Sequence, residues 1–272
     1  MSNYSLSLPA NEPLLTLTRP KPYLWVIELH NGDDSRLTDT LIDGAFKPAL
    51  DEVESQWKSA HQETRKSKDK FAGAGALVIV GNRKQDKFFS NGLDLQRAMA
   101  HRAFFPEVFD PLLHRLLAFP IPTIAAINGH GFAGGFMLSL ACDYRVMVDG
   151  KHRNAWLCMN EVLFGSRWPL SFGALLRAKV GDGKLQREIA LEARRFTPQE
   201  ALDLRLVDHL APTKANAKAG ENTAAVLAKA FEVADTVAPI AKAGVWGGIK
   251  RDIYPDALKA FETSGVAGLS KL

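Results

Sequence analysis

Apolar residues follow two rhythms along this chain. LLTLT (14–18), YLWVIEL (23–29), GALVIVG (75–81), PTIAAIN (122–128) and YRVMV (144–148) are short, nearly unbroken apolar runs bounded by turn residues, and they read as strands. The glycine-bounded GALVIVG, and PTIAAIN after it, have the continuous apolarity of strands buried on both faces. Between the runs the spacing becomes helical. Leu41, Ile42, Phe46, Leu50, Val53 and Trp57 predict a helix from about Leu37 to the late sixties. A helical region spans roughly 94 to 117, and GGFMLSLACD makes a short helix after the second buried strand. Strands alternating with helices predict an α/β fold with mostly parallel pairing.

Beyond about Gly181 the pattern turns helical. Thr197, Pro198 and Glu200 stand as N-cap, first helical residue and capping-box partner, and helix continues after residue 220 to about Phe261. The expected organisation is an α/β core over residues 1–195 and a helical region over 196–272.

Composition narrows the function classes. At 272 residues, 46% apolar and 24% charged, the chain has the make-up of a globular enzyme. No window approaches the roughly 18 uncharged apolar residues of a membrane span, and the first residues lack the basic flank and apolar stretch of a secretory signal. Cys142 and Cys158 have neither disulfide-framework nor metal-ligand spacing, which fits a reducing compartment. The net charge of +4 is mild, and its densest cluster, at 61–70, mixes signs, so nucleic acid is not an expected partner. The basic bias suits an anionic small substrate.

Gly129-x-Gly131-x-x-Gly134, between PTIAAIN and the helix after it, has the spacing of a dinucleotide-binding turn, and Asp149 stands about where a ribose-binding acid would. Context argues against that use. The following helix is short, such a fold would normally begin near its fingerprint, and a second turn, FFSNGLDL at 88–95, would go unexplained. Two strand-to-helix turns instead offer backbone N–H groups to a developing negative charge. Glu161, set among Met159, Val162 and Leu163, has the apolar surroundings that raise a carboxyl pKa and suit a general base.

These residues carry a resemblance. PTIAAINGHGFAGGFMLSLACDYRV is similar to the signature strand-turn-helix of the crotonase (enoyl-CoA hydratase/isomerase) superfamily, and the likeness extends from about residue 14 to 212. The FS-x-GLDL turn, the AGG turn and Asn160-Glu161 resemble the Δ3,Δ2-enoyl-CoA isomerases most closely. The resemblance implies the crotonase-like ββα superhelical core and an oxyanion hole from the N–H groups of Leu93 and Gly134. It further implies substrate contacts at Ser90, Asn91, Gly92, Asp94 and Asn160, and Glu161 as acid/base. Hydratases of the superfamily carry a second glutamate three residues past the oxyanion glycine; here that position is Met137. One carboxylate and a dry wall favour double-bond migration over hydration. Enoyl-CoA hydratase is the alternative within the class, and a non-catalytic CoA-binding or scaffolding protein the alternative outside it.

No metal or separate cofactor is expected, since the substrate is carried as a CoA thioester. HNGDDSRL departs from the family's usual loop after the early strand. Phe132, Phe164, Trp168 and Phe172 are candidates to floor an acyl pocket or to sit in the core. His130 reads as structural, and Lys250 and Arg251 read as solvated or as CoA-phosphate contacts. The resemblance also implies trimers or hexamers built with the helical region. The final Ser270-Lys271-Leu272 matches the tripeptide address read by the peroxisomal import receptor, which places the protein in the peroxisomal matrix and fatty-acid β-oxidation.

Overall fold

A computed structural model describes residues 4–101 and 103–263. Its strands in chain order begin with β1 (Ser5–Leu8), β2 (Leu15–Lys21), β3 (Leu24–Leu29), β4 (Ala76–Val80) and β5 (Phe88–Ser90). They continue with β6 (Thr123–Ile127), β7 (His130–Phe132), β8 (Tyr144–Val148), β9 (Leu157–Cys158) and β10 (His209–Ala211). The larger sheet has the order β1-β2-β3-β4-β6-β8-β10. Its first two pairings are antiparallel and the remaining ones parallel. β5, β7 and β9 form a second, three-stranded parallel sheet. The α/β architecture with a parallel sheet is the one expected.

Every residue of β4 and β6 is buried, which accounts for their unbroken apolarity. Helix Glu221–Val237 lies against β4, β6 and β8, while helix Gly134–Ala141 packs on helices Asp110–Leu117 and Leu170–Lys179. The early helix begins after Thr38, whose hydroxyl accepts from the Leu41 amide at 3.1 Å, and runs to Thr64. Thr197 and Glu200 form the reciprocal capping box read from the sequence.

Four features differ from the sequence reading. β1 is an edge strand whose serines break the apolar run. The region from 94 to 117 is divided into helix Leu95–Ala100, a π-type turn Phe104–Phe109 and helix Asp110–Leu117, with Pro106 and Pro111 interrupting the amide ladder. Residues beyond 195 are not helical throughout, because β10 joins β8 in parallel and a boundary at 195 therefore cuts through one sheet. Lys250 is neither solvated nor placed for a phosphate. It is buried, 2.8 Å from Asp143, whose carboxylate also accepts from the Thr123 amide and Trp246 Nε1.

Among the described residues no helix is long and apolar enough to cross a membrane. Residues 270–272, which carry the expected address, lie outside the described part of the chain.

Candidate active site

The small sheet organises the site. β5, β7 and β9 are parallel, so their carboxyl ends emerge at one edge. From that edge β5 runs into Asn91-Gly92-Leu93, β7 into Ala133-Gly134 and β9 into Met159-Asn160-Glu161. With neighbouring strands about 4.8 Å apart, three remote segments are brought side by side. The sequence-predicted Leu93, Gly134 and Glu161 thus meet at one edge.

The first turn is held by the loop at 34–37. Ser90 Oγ donates to the Ser35 carbonyl at 2.8 Å and accepts from the Gly92 amide at 3.2 Å. The Asn91 amide donates to the Asp34 carbonyl at 2.9 Å, and the Leu37 amide to the Gly92 carbonyl at 2.8 Å. Arg36 Nη1 donates to the carbonyls of both Asn91 (3.2 Å) and Leu93 (3.0 Å), while its Nε pairs with Asp34 at 2.8 Å. Asp94 accepts from the Arg97 amide and caps the next helix. Of the Asn91, Gly92 and Leu93 amides, only that of Leu93 has no acceptor among the described residues. It is left free to donate outward.

Gly92 has φ +81°, and a Cβ there would stand 2.8 Å from the Phe132 carbonyl oxygen and 3.0 Å from the Gly134 nitrogen. Glycine is required on both counts. The same closeness sets the Asn91-Gly92-Leu93 turn directly against the Phe132–Gly134 backbone. Gly134 opens helix Gly134–Ala141, where the first amides have no helical acceptor. Gly135 lets that helix lie against Ser90, whose carbonyl oxygen would be 2.4 Å from an added Cβ.

Glu161 begins a 3-10 turn, Glu161–Phe164, and is only 8% exposed. Its Oε2 has no hydrogen-bond partner. Burial raises its pKa above the ordinary carboxylate value, against hydrogen bonding to its own backbone, to the Trp168 side chain and to the Asn160 backbone. Trp168 leads from Glu161 into an aromatic cluster. Phe172 meets Phe105, Phe109 and Trp168 edge-on at 5.7–6.1 Å, and Phe109 reaches under Gly134. Met137, one turn into the glycine-led helix, is fully buried.

Among the four aromatics, Phe172 is core, Phe132 and Trp168 are partly buried, and Phe164 is 49% exposed beside exposed Val162 and Leu163. His130 is structural. Its Nδ1 accepts from the Trp156 amide at 3.1 Å, its ring stacks on Trp156, and burial, followed by Lys87, Arg153 and Arg195, pushes its pKa down to about 4. Asp149 accepts from Thr213 and the Lys151 amide. Arg36 and Asp34 were not anticipated as supports of the site; the departure of HNGDDSRL from the family loop was the available signal.

A buried carboxyl and two free amides at one sheet edge are a fitting arrangement for acid/base chemistry on a carbonyl compound. The profile of the enoyl-CoA hydratase/isomerase family matches residues 59–244. The chain belongs to the enoyl-CoA hydratase/isomerase family. Within it, the chain is 35% identical over 203 residues to enoyl-CoA delta isomerase 2, peroxisomal, of Arabidopsis thaliana, an alignment covering 71% of this chain and 76% of that protein. It is 40% identical over 152 residues to enoyl-CoA delta isomerase 3 of the same plant, covering 53% and 61%. Among solved structures of the family, an enoyl-CoA hydratase from Mycobacterium ulcerans superposes with a TM-score of 0.73 at 23% identity, over 93% of this chain and 96% of the other.

Proposed function

We propose that the protein is a Δ3,Δ2-enoyl-CoA isomerase, converting a 3-enoyl-CoA to the trans-2-enoyl-CoA. The observation that carries this reading is the buried carboxyl of Glu161, whose Oε2 has no hydrogen-bond partner, at the sheet edge that also holds the Leu93 and Gly134 amides. Glu161 in its ionised form takes a proton from C2. The electron pair moves into the thioester carbonyl, whose oxygen becomes anionic and accepts from the Leu93 and Gly134 amides. The protonated Glu161 then returns the proton to C4 as the double bond closes between C2 and C3. Atoms balance, and no redox partner is needed. Ser90, Asn91 and Gly92 shape the first amide's turn, Asp94 caps the helix beyond it, and Asn160 adjoins Glu161, lining the path of the acyl-CoA.

Hydration would need a second group to hold and activate water, and Met137 cannot do so. The relatives named as delta isomerases support the isomerase choice. The reading extends to β-oxidation of unsaturated fatty acids, to a trimer or hexamer, and to the peroxisome. The compartment rests on Ser270-Lys271-Leu272 and on two Arabidopsis relatives named peroxisomal, set against mammalian relatives named mitochondrial. A fluorescent fusion should enter peroxisomes with the tripeptide and remain cytosolic without it.

The deciding experiment supplies purified protein with 3-hexenoyl-CoA and, separately, 2-hexenoyl-CoA. Formation of 2-enoyl product from the first, with no 3-hydroxyacyl-CoA from the second, is expected. Hydration without isomerisation would overturn the assignment in favour of a hydratase; thioester binding with neither reaction would favour a binding protein.

A further inference from the structure

Ala133 stands between the two amides, and its backbone is unusual. Its φ is +51° and ψ −123°, a conformation that residues with a Cβ rarely adopt. Glycine would take it without strain, and glycines flank the position at 131, 134 and 135. Three hydrogen bonds hold the strained residue. Its amide donates to the Cys158 carbonyl at 2.8 Å, and its carbonyl accepts from Phe136 at 3.0 Å and Met137 at 3.1 Å. Its methyl has a definite place as well: a Cβ built on Gly92 would lie 2.9 Å from Ala133 Cβ. The methyl therefore occupies the gap beside Gly92, whose successor and Ala133's own successor carry the two free amides.

We propose that Ala133 is a positioning residue whose methyl, wedged against Gly92, fixes the separation and aim of the Leu93 and Gly134 amides. This rests on the isomerase reading above. Oxyanion donors are effective because they are aligned before charge develops, and their benefit falls steeply with small displacements. A glycine at 133 would relieve the local conformation and widen what both turns can sample. An alanine held there by its neighbours sacrifices backbone ease for a fixed gap.

The test compares Ala133→Gly with Ala133→Ser, which keeps a Cβ at the wedge. Ala133→Gly should fold with an unchanged or higher Tm and bind substrate with KM changed less than about 3-fold. Its kcat for 3-hexenoyl-CoA should fall roughly 10- to 100-fold, the scale expected of a misplaced donor. Raman spectra of bound 2-hexenoyl-CoA should show the thioester C=O stretch moving back toward its frequency in free solution. Ala133→Ser should retain most of the rate and the bound-state frequency. Wild-type kcat and frequency in Ala133→Gly would overturn the proposal, as would a rate loss that tracks a lowered Tm and is equally present in Ala133→Ser. The carbonyl frequency needs only thioester binding, so it judges Ala133 even if the wild-type protein fails to isomerise 3-hexenoyl-CoA, a failure that would count against the isomerase reading alone.

Discussion

The amide of Ala133 donates to the carbonyl of Cys158 across 2.8 Å, and through that bond the turn ending in Gly134 is tied to the strand that delivers Glu161. Glu161 and Gly134 are thus registered to each other by backbone pairing, independently of any long side chain.

Replacing Glu161 with Gln keeps the shape and removes the base. General-base participation typically contributes 10²- to 10⁴-fold, so isomerase kcat should fall by about that range while CoA-ester binding is nearly preserved. Stopped-flow or coupled assays of turnover, beside calorimetric binding of 2-hexenoyl-CoA, measure both. Turnover near the wild-type value would remove Glu161 from the mechanism.

The raised pKa of Glu161 also sets a pH dependence. A carboxyl that is harder to ionise when folded contributes stability below its ordinary value of 4.5, and loses it as pH rises through the folded value. The proposed reaction needs the ionised form, so activity should rise over the window in which stability declines. Urea unfolding of wild type and Glu161→Gln at pH 4.5 and pH 8 should show the variant gaining relative stability at the higher pH. Parallel curves would contradict this.

His130 behaves in the opposite sense. Its folded pKa of about 4 lies below the ordinary 6.5, so the neutral ring stabilises the fold above pH 6.5, and that contribution is lost as pH falls toward 4. The full effect is on the order of 3 kcal/mol. His130→Asn retains an acceptor for the Trp156 amide and should lose part of the acid sensitivity seen in urea midpoints between pH 7 and pH 4.5. An unchanged acid response would place that sensitivity elsewhere.

Arg36→Ala releases the Asn91 and Leu93 carbonyls together. A drop in kcat of roughly 10-fold is expected from the loosened turn, with a smaller change in global Tm. Equal kcat in variant and wild type would show that the remaining bonds to Asp34, Ser35 and Leu37 suffice.

Lys250→Met should be the most destabilising of these changes. It leaves the Asp143 carboxylate buried without its cation, which costs about 3–5 kcal/mol. A Tm within two degrees of wild type would mean that Thr123, Trp246 and the nearby Lys179 suffice for that charge.

Legibility in the sequence followed the strength of each local signal. β4 and β6 announced themselves because both faces are buried, and the Thr197–Glu200 box because its chemistry is local. β5, β7 and β9 did not, since strands of two or three residues are too short to show a periodicity, although they align the site. Leu93 and Gly134 were reached through the glycine turns and the family resemblance, and Glu161 through its apolar neighbours. Arg36 was missed because its partners lie 55 and 57 positions away and are backbone carbonyls, which leave no trace in side-chain pattern. Lys250 was misread for a related reason: a lysine's burial depends on a distant Asp143 that the helix's own composition cannot reveal.

The order β5-β7-β9 has a stereochemical consequence. The strand that leads to Gly134 is central, the strand that leads to the Leu93 turn flanks it on one side, and the strand that leads to Glu161 flanks it on the other. A thioester oxygen lodged between the two amides would therefore present only one face of its acyl chain to the carboxyl. Under the proposed reaction, the hydrogen leaving C2 and the hydrogen arriving at C4 cross that same face, and a deuterium label at C2 would be carried along the chain in proportion to how slowly Glu161 exchanges with water.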